Sequence, residues 1–223
     1  MDIYEVMRTT FSARKFKDEP VPNHILYKIL DQARFAPSGG NRQGAHVIIV
    51  RNDEIKRKIA DSAPFAVKKY MAQQKIGENP WNTIQKSELS NSEIEATPIS
   101  KMLTEPIAQA PVVLVVGIDL RVVASMDQNL SRIGVVSGAS IYPFIWNILL
   151  AARNEGYGGT ITTMSISEEP SLCEILDIPN YMAIAAIIPL GRPIKMLTKL
   201  RRQEVEKFTH LEKWGGTSLT KNV

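Results

Sequence analysis

The chain is poor in residues that build a reactive centre unaided. Among 223 residues there is one cysteine, Cys173, and there are three histidines, His24, His46 and His210. A single cysteine excludes an intrachain disulfide and cannot build a metal site alone. Its setting, Leu172-Cys173-Glu174-Ile175-Leu176, reads as packing. The histidines are scattered without metal-ligand spacing. No nucleophile elbow, P-loop or Gly-rich dinucleotide fingerprint is present. Gly156-Tyr157-Gly158-Gly159 follows a helix, not a strand, and reads as a helix C-cap. The start, Met1-Asp2-Ile3-Tyr4-Glu5, lacks a basic segment followed by an apolar run, so no signal peptide is expected. The most apolar helical stretch, 135–152, is interrupted by Ser137, Ser140, Pro143 and Asn147 and reads as a core helix, not a membrane span. A cytoplasmic protein is expected. The net charge of +4 suits anionic ligands such as phosphates, but no basic stripe interleaved with aromatics marks a nucleic-acid binder.

What is present is an ordinary globular composition, 44% apolar and 22% charged, in a chain long enough to bury a sizeable core. Helical spacing predicts a short helix over 2–10 and another over 24–35 behind Asn23 as N-cap. Apolar, β-branched runs predict strands at 45–50, 111–118 and 182–190. Asp53 is expected to cap a helix, a core helix is expected over 132–154, and Ser167 to cap one through Leu176. Thr160–Met164 reads as a short strand or loop. Residues 63–105 are polar with scattered apolar positions and read as a lid-like insertion in a single domain spanning 1–223. The tail from Ile194 is charged and weakly periodic; with Phe208, Leu211 and Trp214 it gains little packing on its own subunit and is expected to wrap a partner. Helices and strands mix without βαβ alternation, which favours an α+β sheet domain.

A chain with no acid–base constellation either binds something inert or borrows reactivity from a cofactor. Three segments offer ligand-binding chemistry. Ser12-Ala13-Arg14-Lys15-Phe16 follows the first helix. Ala36-Pro37-Ser38-Gly39-Gly40-Asn41-Arg42-Gln43 presents small residues, backbone amides and neutral amide side chains, groups suited to the carbonyls and ring nitrogens of a planar heterocycle. Lys199-Leu200-Arg201-Arg202 gathers cations that can clamp a phosphate. Each alone also reads blandly: a surface cation, a turn, a solvated tail.

Taken with Glu19-Pro20-Val21-Pro22, Asn147 to Ala152, Thr162-Thr163 and Pro189-Leu190-Gly191-Arg192-Pro193, these blocks resemble the nitroreductase family over nearly the whole chain except 63–105. The resemblance implies a mixed, mainly antiparallel central sheet flanked by helices, a homodimer whose C-terminal segment reaches the partner subunit, and non-covalently bound FMN at the interface. It implies a ping-pong cycle in which NADH or NADPH reduces the flavin and a nitroaromatic, quinone or related electrophile reoxidises it. No side chain is then required as a nucleophile, since flavin N5 carries the chemistry. Ser12 and Arg14 would contact the flavin, as would Pro37, Ser38, Gly39, Asn41 and Gln43, the last five from the second subunit. Gly159, Thr162 and Thr163 would run beside the ring. Lys199, Arg201 and Arg202 would hold the phosphate, with the register among them open. The family's basic pair before Ser12 is replaced by Thr10 and Phe11, and Arg8 stands as the substitute ligand or as a cap of the first helix. Gly44, where the family often has proline, loosens the entry into the strand. Phe65, Tyr70 and Trp81 are the candidates to face a substrate. Relatives that fragment flavin, dehalogenate or carry out other FMN-dependent redox chemistry keep a different reaction open, as does a non-catalytic flavin-binding role.

Overall fold

The computed structural model describes residues 1–221; the last two positions of the expected domain, 222–223, lie outside them. Four strands form one antiparallel sheet in the order β1-β2-β4-β3, with β1 at Ala45–Val50, β2 at Val112–Asp119, β3 at Gly158–Gly159 and β4 at Met182–Gly191. The α+β expectation holds, and one isolated parallel bridge, Ser12 to Gly159, adds the N-terminal segment beside β3.

β2 is buried along its whole length, and strand alternation explains why its sequence is apolar at nearly every position. Val112, Leu114, Val116 and Ile118 pack with Leu26 and Ile29 of α2 (Asn23–Ala33) and with Ile145, Ile148 and Leu149 of α7 (Tyr142–Asn154). Val113 and Val115 point the other way, toward Ile59 of α3 (Asp53–Asp61), Ile107 of α6 (Lys101–Gln109) and Leu172 of α8 (Glu169–Leu176). A strand covered on both faces has no polar side. Burying a Leu or Ile side chain contributes about 1.5–3 kcal/mol, so this three-layer core dominates the stability.

Four helix starts differ from expectation. Pro22, not Asn23, is the N-cap of α2; the Asn23 carboxamide oxygen instead accepts from Arg51 at 2.8 Å. Asn52 caps α3 by accepting from the Ile55 amide at 3.0 Å, and Asp53 in the first turn pairs with Lys56. α7 begins at Tyr142, not near 132, after a 3-10 turn over Val136–Ser140. Pro143 lies in its first turn, where its missing N–H costs nothing; mid-helix it would break the helix. α8 likewise begins at Glu169 with Pro170 in the first turn, while the Ser167 hydroxyl donates to the Met164 carbonyl.

Gly156, at φ 78°, ends α7. The Tyr157 amide returns to the Ala152 carbonyl at 2.8 Å and the Gly156 amide to Arg153 at 3.1 Å. This is the Schellman closure the Gly-Tyr-Gly-Gly run suggested. Residues 63–105 fold as α4 (Pro64–Lys75), α5 (Asn91–Glu95) and the start of α6. Beyond Ile194 the described tail holds one 3-10 turn, Val205–Lys207, and otherwise no helix or strand. Cys173 is half-buried, and burial pushes its thiol pKa up.

Candidate functional site

The N-terminal segment is threaded along the sheet by backbone bonds. The Ala13 amide donates to the Gly159 carbonyl at 2.9 Å, Lys17 to Arg192 at 2.8 Å and Ile194 to Lys15 at 3.1 Å. Thr162 exchanges both bonds with Ile187, at 2.9 and 3.0 Å. Arg14 and the run Thr160–Met164 thereby come to line one recess of about 160 Å³ together with Tyr70 of α4, Leu103, Pro106 and Ile107 of α6, and Pro189. Tyr70, Thr163 and Met164 also border an adjoining cleft of about 640 Å³, which adds Pro80, Trp81, Tyr142 and Ile184. Among the described residues, no charged side chain lines this larger cleft.

Three features give the recess its character. The Arg14 guanidinium is exposed and donates only within its own segment, to the Ser12 carbonyl at 3.4 Å. It forms no ion pair among the described residues. The Thr160 hydroxyl is buried without a partner, a cost of about 1–3 kcal/mol unless something fills the need. Gly159 has no room for a side chain: a Cβ would stand 2.7 Å from the Pro189 carbonyl oxygen and 3.1 Å from Ile188. The absence of a side chain at Gly159 lets β3 lie close against β4, and at Gly158, where a Cβ would stand 3.2 Å from Ala13 Cβ, it leaves room for the N-terminal segment.

Ser12, Arg14, Gly159, Thr162, Thr163, Tyr70 and Trp81 are therefore brought to one region. Phe65 lines neither cleft. The loop Pro37–Gln43 sits elsewhere on the same chain. The Gly39 amide donates to Ser140 Oγ just before α7, and the Gln43 amide to Ser38 Oγ, both at 3.0 Å. Gly40, Asn41 and Gln43 all adopt left-handed backbone, at φ 61°, 54° and 52°. Two non-glycine residues in that region within one loop mark a conformation held at a cost, and such strain concentrates at binding sites. Gly44, at its end, is buried against Val122, where a Cβ would meet Cγ2 at 2.5 Å. It permits close approach rather than loosening the strand.

The cations divide. Arg8 lies in the last turn of α1 (Ile3–Thr9), and Lys199, Arg201 and Arg202 lie in the exposed tail, with Arg202 donating only to the Arg201 carbonyl. Thr10 is buried and its hydroxyl donates to the Val6 carbonyl at 2.8 Å, so it serves the helix end. Sequence reasoning missed Arg153. This guanidinium, on a residue only 7% exposed, reaches Thr9 Oγ1 at 2.9 Å and the Leu197 carbonyl at 3.4 Å. It ties the first helix to the base of the tail, next to Arg8 and two residues before Lys199. An arginine three residues before a Gly-Tyr-Gly turn was the available signal.

The profile of the Nitroreductase family matches residues 7–192, and the chain belongs to that family. It is similar to the NADH dehydrogenase of Thermus thermophilus, with 28% identity over 188 residues covering 82% of each chain. It is also similar to the FMN reductase (NAD(P)H) of Bacillus subtilis, with 24% identity over 90% of this chain and 70% of that one. The fold matches a solved structure of oxidized iodotyrosine deiodinase bound to FMN and 3-iodo-L-tyrosine. There the TM-score is 0.65 at 22% identity, covering 92% of this chain and 96% of the other.

Proposed function

We propose that this protein is an FMN-dependent oxidoreductase that moves reducing equivalents from NADH or NADPH to a nitroaromatic, quinone or related electrophilic acceptor. The observation that carries the reading is the recess beside β3. It pairs an uncommitted guanidinium, Arg14, with an orphaned buried hydroxyl, Thr160. These residues fit a polar, planar group with anionic character. Bound there, FMN would supply reversible two-electron hydride chemistry at its ring. Ser12, Arg14, Gly159, Thr162 and Thr163 would hold it. Arg14 would favour negative charge on the ring by Coulomb attraction. The uncharged 640 Å³ cleft would admit donor and acceptor in turn.

A homodimer completes the proposal. The chain exposes 14304 Å², whereas a compact monomer of this mass exposes about 10,200 Å². Large apolar side chains are among the exposed ones: Tyr4 on α1 is 68% exposed and Trp214 in the tail 91%. A partner covering these surfaces would bring its own Pro37–Gln43 loop and Lys199, Arg201 and Arg202 toward the recess, which one chain alone does not do. The insertion 63–105 would act as the lid. No described helix is long and apolar enough to cross a membrane, and the cytoplasm is the proposed location.

Dehalogenation of an aromatic is the second reading, favoured by the aromatic lining of Tyr70, Trp81 and Tyr142. Purified protein should be yellow, and anaerobic NADH or NADPH should bleach the flavin band. Protein that cannot be loaded with FMN sinks the proposal. Release of halide from a halophenol, with no turnover of quinone, would select the second reading.

A further inference from the structure

The helix α4 ends as α7 does. Gly77, at φ 80°, lets the Glu78 amide return to the Gln73 carbonyl at 2.9 Å. That closure folds the Glu78 carboxylate back over the Gln73 side chain, which is on a residue only 3% exposed. Gln73 Nε2 donates to Glu78 Oε2 at 2.9 Å. The same carboxylate accepts from Ser87 Oγ at 2.7 Å and from the Glu88 amide at 2.8 Å. A carboxylate is acceptor-only, so the Gln73 amide cannot flip. Its Oε1 is thereby left to accept from the Trp81 amide at 3.1 Å.

Trp81 has φ 57°. A bulky aromatic in the left-handed region is a genuine outlier, costing about 1–3 kcal/mol, and it persists only where its surroundings impose it. Here the imposing group is Gln73, backed by Glu78. The result is a ring that borders both the uncharged cleft shared with Tyr70 and Tyr142 and a second hollow holding Lys69 and Gln73. Lys69 Nζ stands 4.4 Å from the ring centroid, a cation–π contact that restrains the indole from that hollow.

We propose that Gln73 is a positioning residue whose task is to hold Trp81 as a fixed stacking wall for a flat, uncharged acceptor, and that Trp81 determines which acceptors the cleft takes. This rests on the oxidoreductase reading above, because it takes the 640 Å³ cleft as the acceptor site. A rigid aromatic wall rewards flat ligands by stacking, and a cleft with no charged side chain leaves an anionic ligand's charge unpaired.

The test uses FMN-loaded protein and 2-methyl-1,4-naphthoquinone as acceptor. Glycine accepts φ 57° without strain, so Trp81→Gly keeps the backbone and removes only the ring. It is expected to raise KM for the quinone roughly tenfold. Gln73→Leu is expected to raise KM comparably, and to add nothing in the Trp81→Gly background, because both act through one ring. In a Trp146→Phe/Trp214→Phe background, Gln73→Leu should also shift the remaining Trp81 emission to the red as the indole loosens into water. Unchanged KM in Trp81→Gly overturns the proposal, as do additive losses in the double variant or unchanged emission. A parent protein that neither NADH nor NADPH reduces would instead fail the oxidoreductase reading, while the emission measurement would still decide the positioning role.

Discussion

Arg153 Nε, in the last turn of α7, donates to Thr9 Oγ1 on α1 at 2.9 Å, and the Thr9 hydroxyl passes the chain on to the Glu5 carbonyl at 2.7 Å. No carboxylate pairs with this buried guanidinium among the described residues. The bond therefore joins two helices at the point where the tail departs. A hydrogen bond to a charged group contributes about 1.5–3 kcal/mol. Arg153→Met, which keeps the apolar stem, is expected to lower stability by about 2 kcal/mol, roughly 4–8 °C in thermal midpoint for a chain this size. Thr9→Val is expected to cost at least as much, because it strands the charged donor. The double variant should lose less than the two singles together, measured by urea unfolding.

Arg14 carries the proposed cofactor recess from the N-terminal side. Arg14→Gln keeps hydrogen-bonding capacity and removes the charge. Affinity of the apoprotein for FMN is expected to fall roughly tenfold or more, read as quenching of flavin fluorescence on titration. The thermal midpoint of the apoprotein should hardly move, since the side chain is exposed and unpaired. Equal FMN affinity in parent and variant would remove Arg14 from the site.

Gly159 is a position where one methyl group should be felt. Its Cβ would press on the Pro189 carbonyl oxygen at 2.7 Å, with Ile188 and Leu149 at 3.1 and 3.3 Å. The neighbours are backbone and core, so relief requires β3 to move away from β4. Gly159→Ala is expected to destabilise by about 1–3 kcal/mol and to weaken the Ala13–Gly159 bond that sets Arg14. Both stability and FMN affinity should therefore fall, in contrast to Arg14→Gln.

Asp127 organises the loop before α7. Its carboxylate accepts from the Val135 amide at 2.7 Å, from Arg132 at 2.8 Å and from the Val136 amide at 3.3 Å. These bonds, the Val135 amide foremost, hold its pKa down at about 2. A carboxylate depressed on folding stabilises fully above its unfolded pKa, near 4, and the contribution disappears as pH falls through the folded value. Asp127→Asn is therefore expected to be less stable than the parent at pH 5 and above. The gap should shrink between pH 4 and pH 2, followed by urea midpoints across that range. A gap that stayed constant to pH 2 would assign the loop's order to other contacts.

Much was legible along the chain because it is written at short range. Strands β1, β2 and β4 announce themselves as apolar runs, since a sheet sandwiched between helix layers has no solvent face to alternate toward. The Gly156 closure depends on a single residue free to take positive φ. Prolines were decisive but easy to misplace: Pro143 and Pro170 start their helices, and a periodic pattern read through Pro143 ran α7 ten residues too early.

By itself the sequence determined the layered core, the helix stops and the dispersed blocks by which the family is known, because each depends on neighbours within a few turns or on a fixed periodicity. Only the tertiary structure decided that Arg14, Tyr70 and Thr160–Met164 share one recess, that Thr160 is left unpaired there, and that Arg153 joins α1 to the tail. Those contacts close loops of tens to more than a hundred residues, and nothing in local spacing records which distant partner the packed sheet will bring into reach. Trp81 belongs to both accounts. Its aromatic character in a polar stretch was visible from the start; its left-handed backbone, and the 3.1 Å bond from its amide to Oε1 of the buried Gln73, appear only in the folded chain.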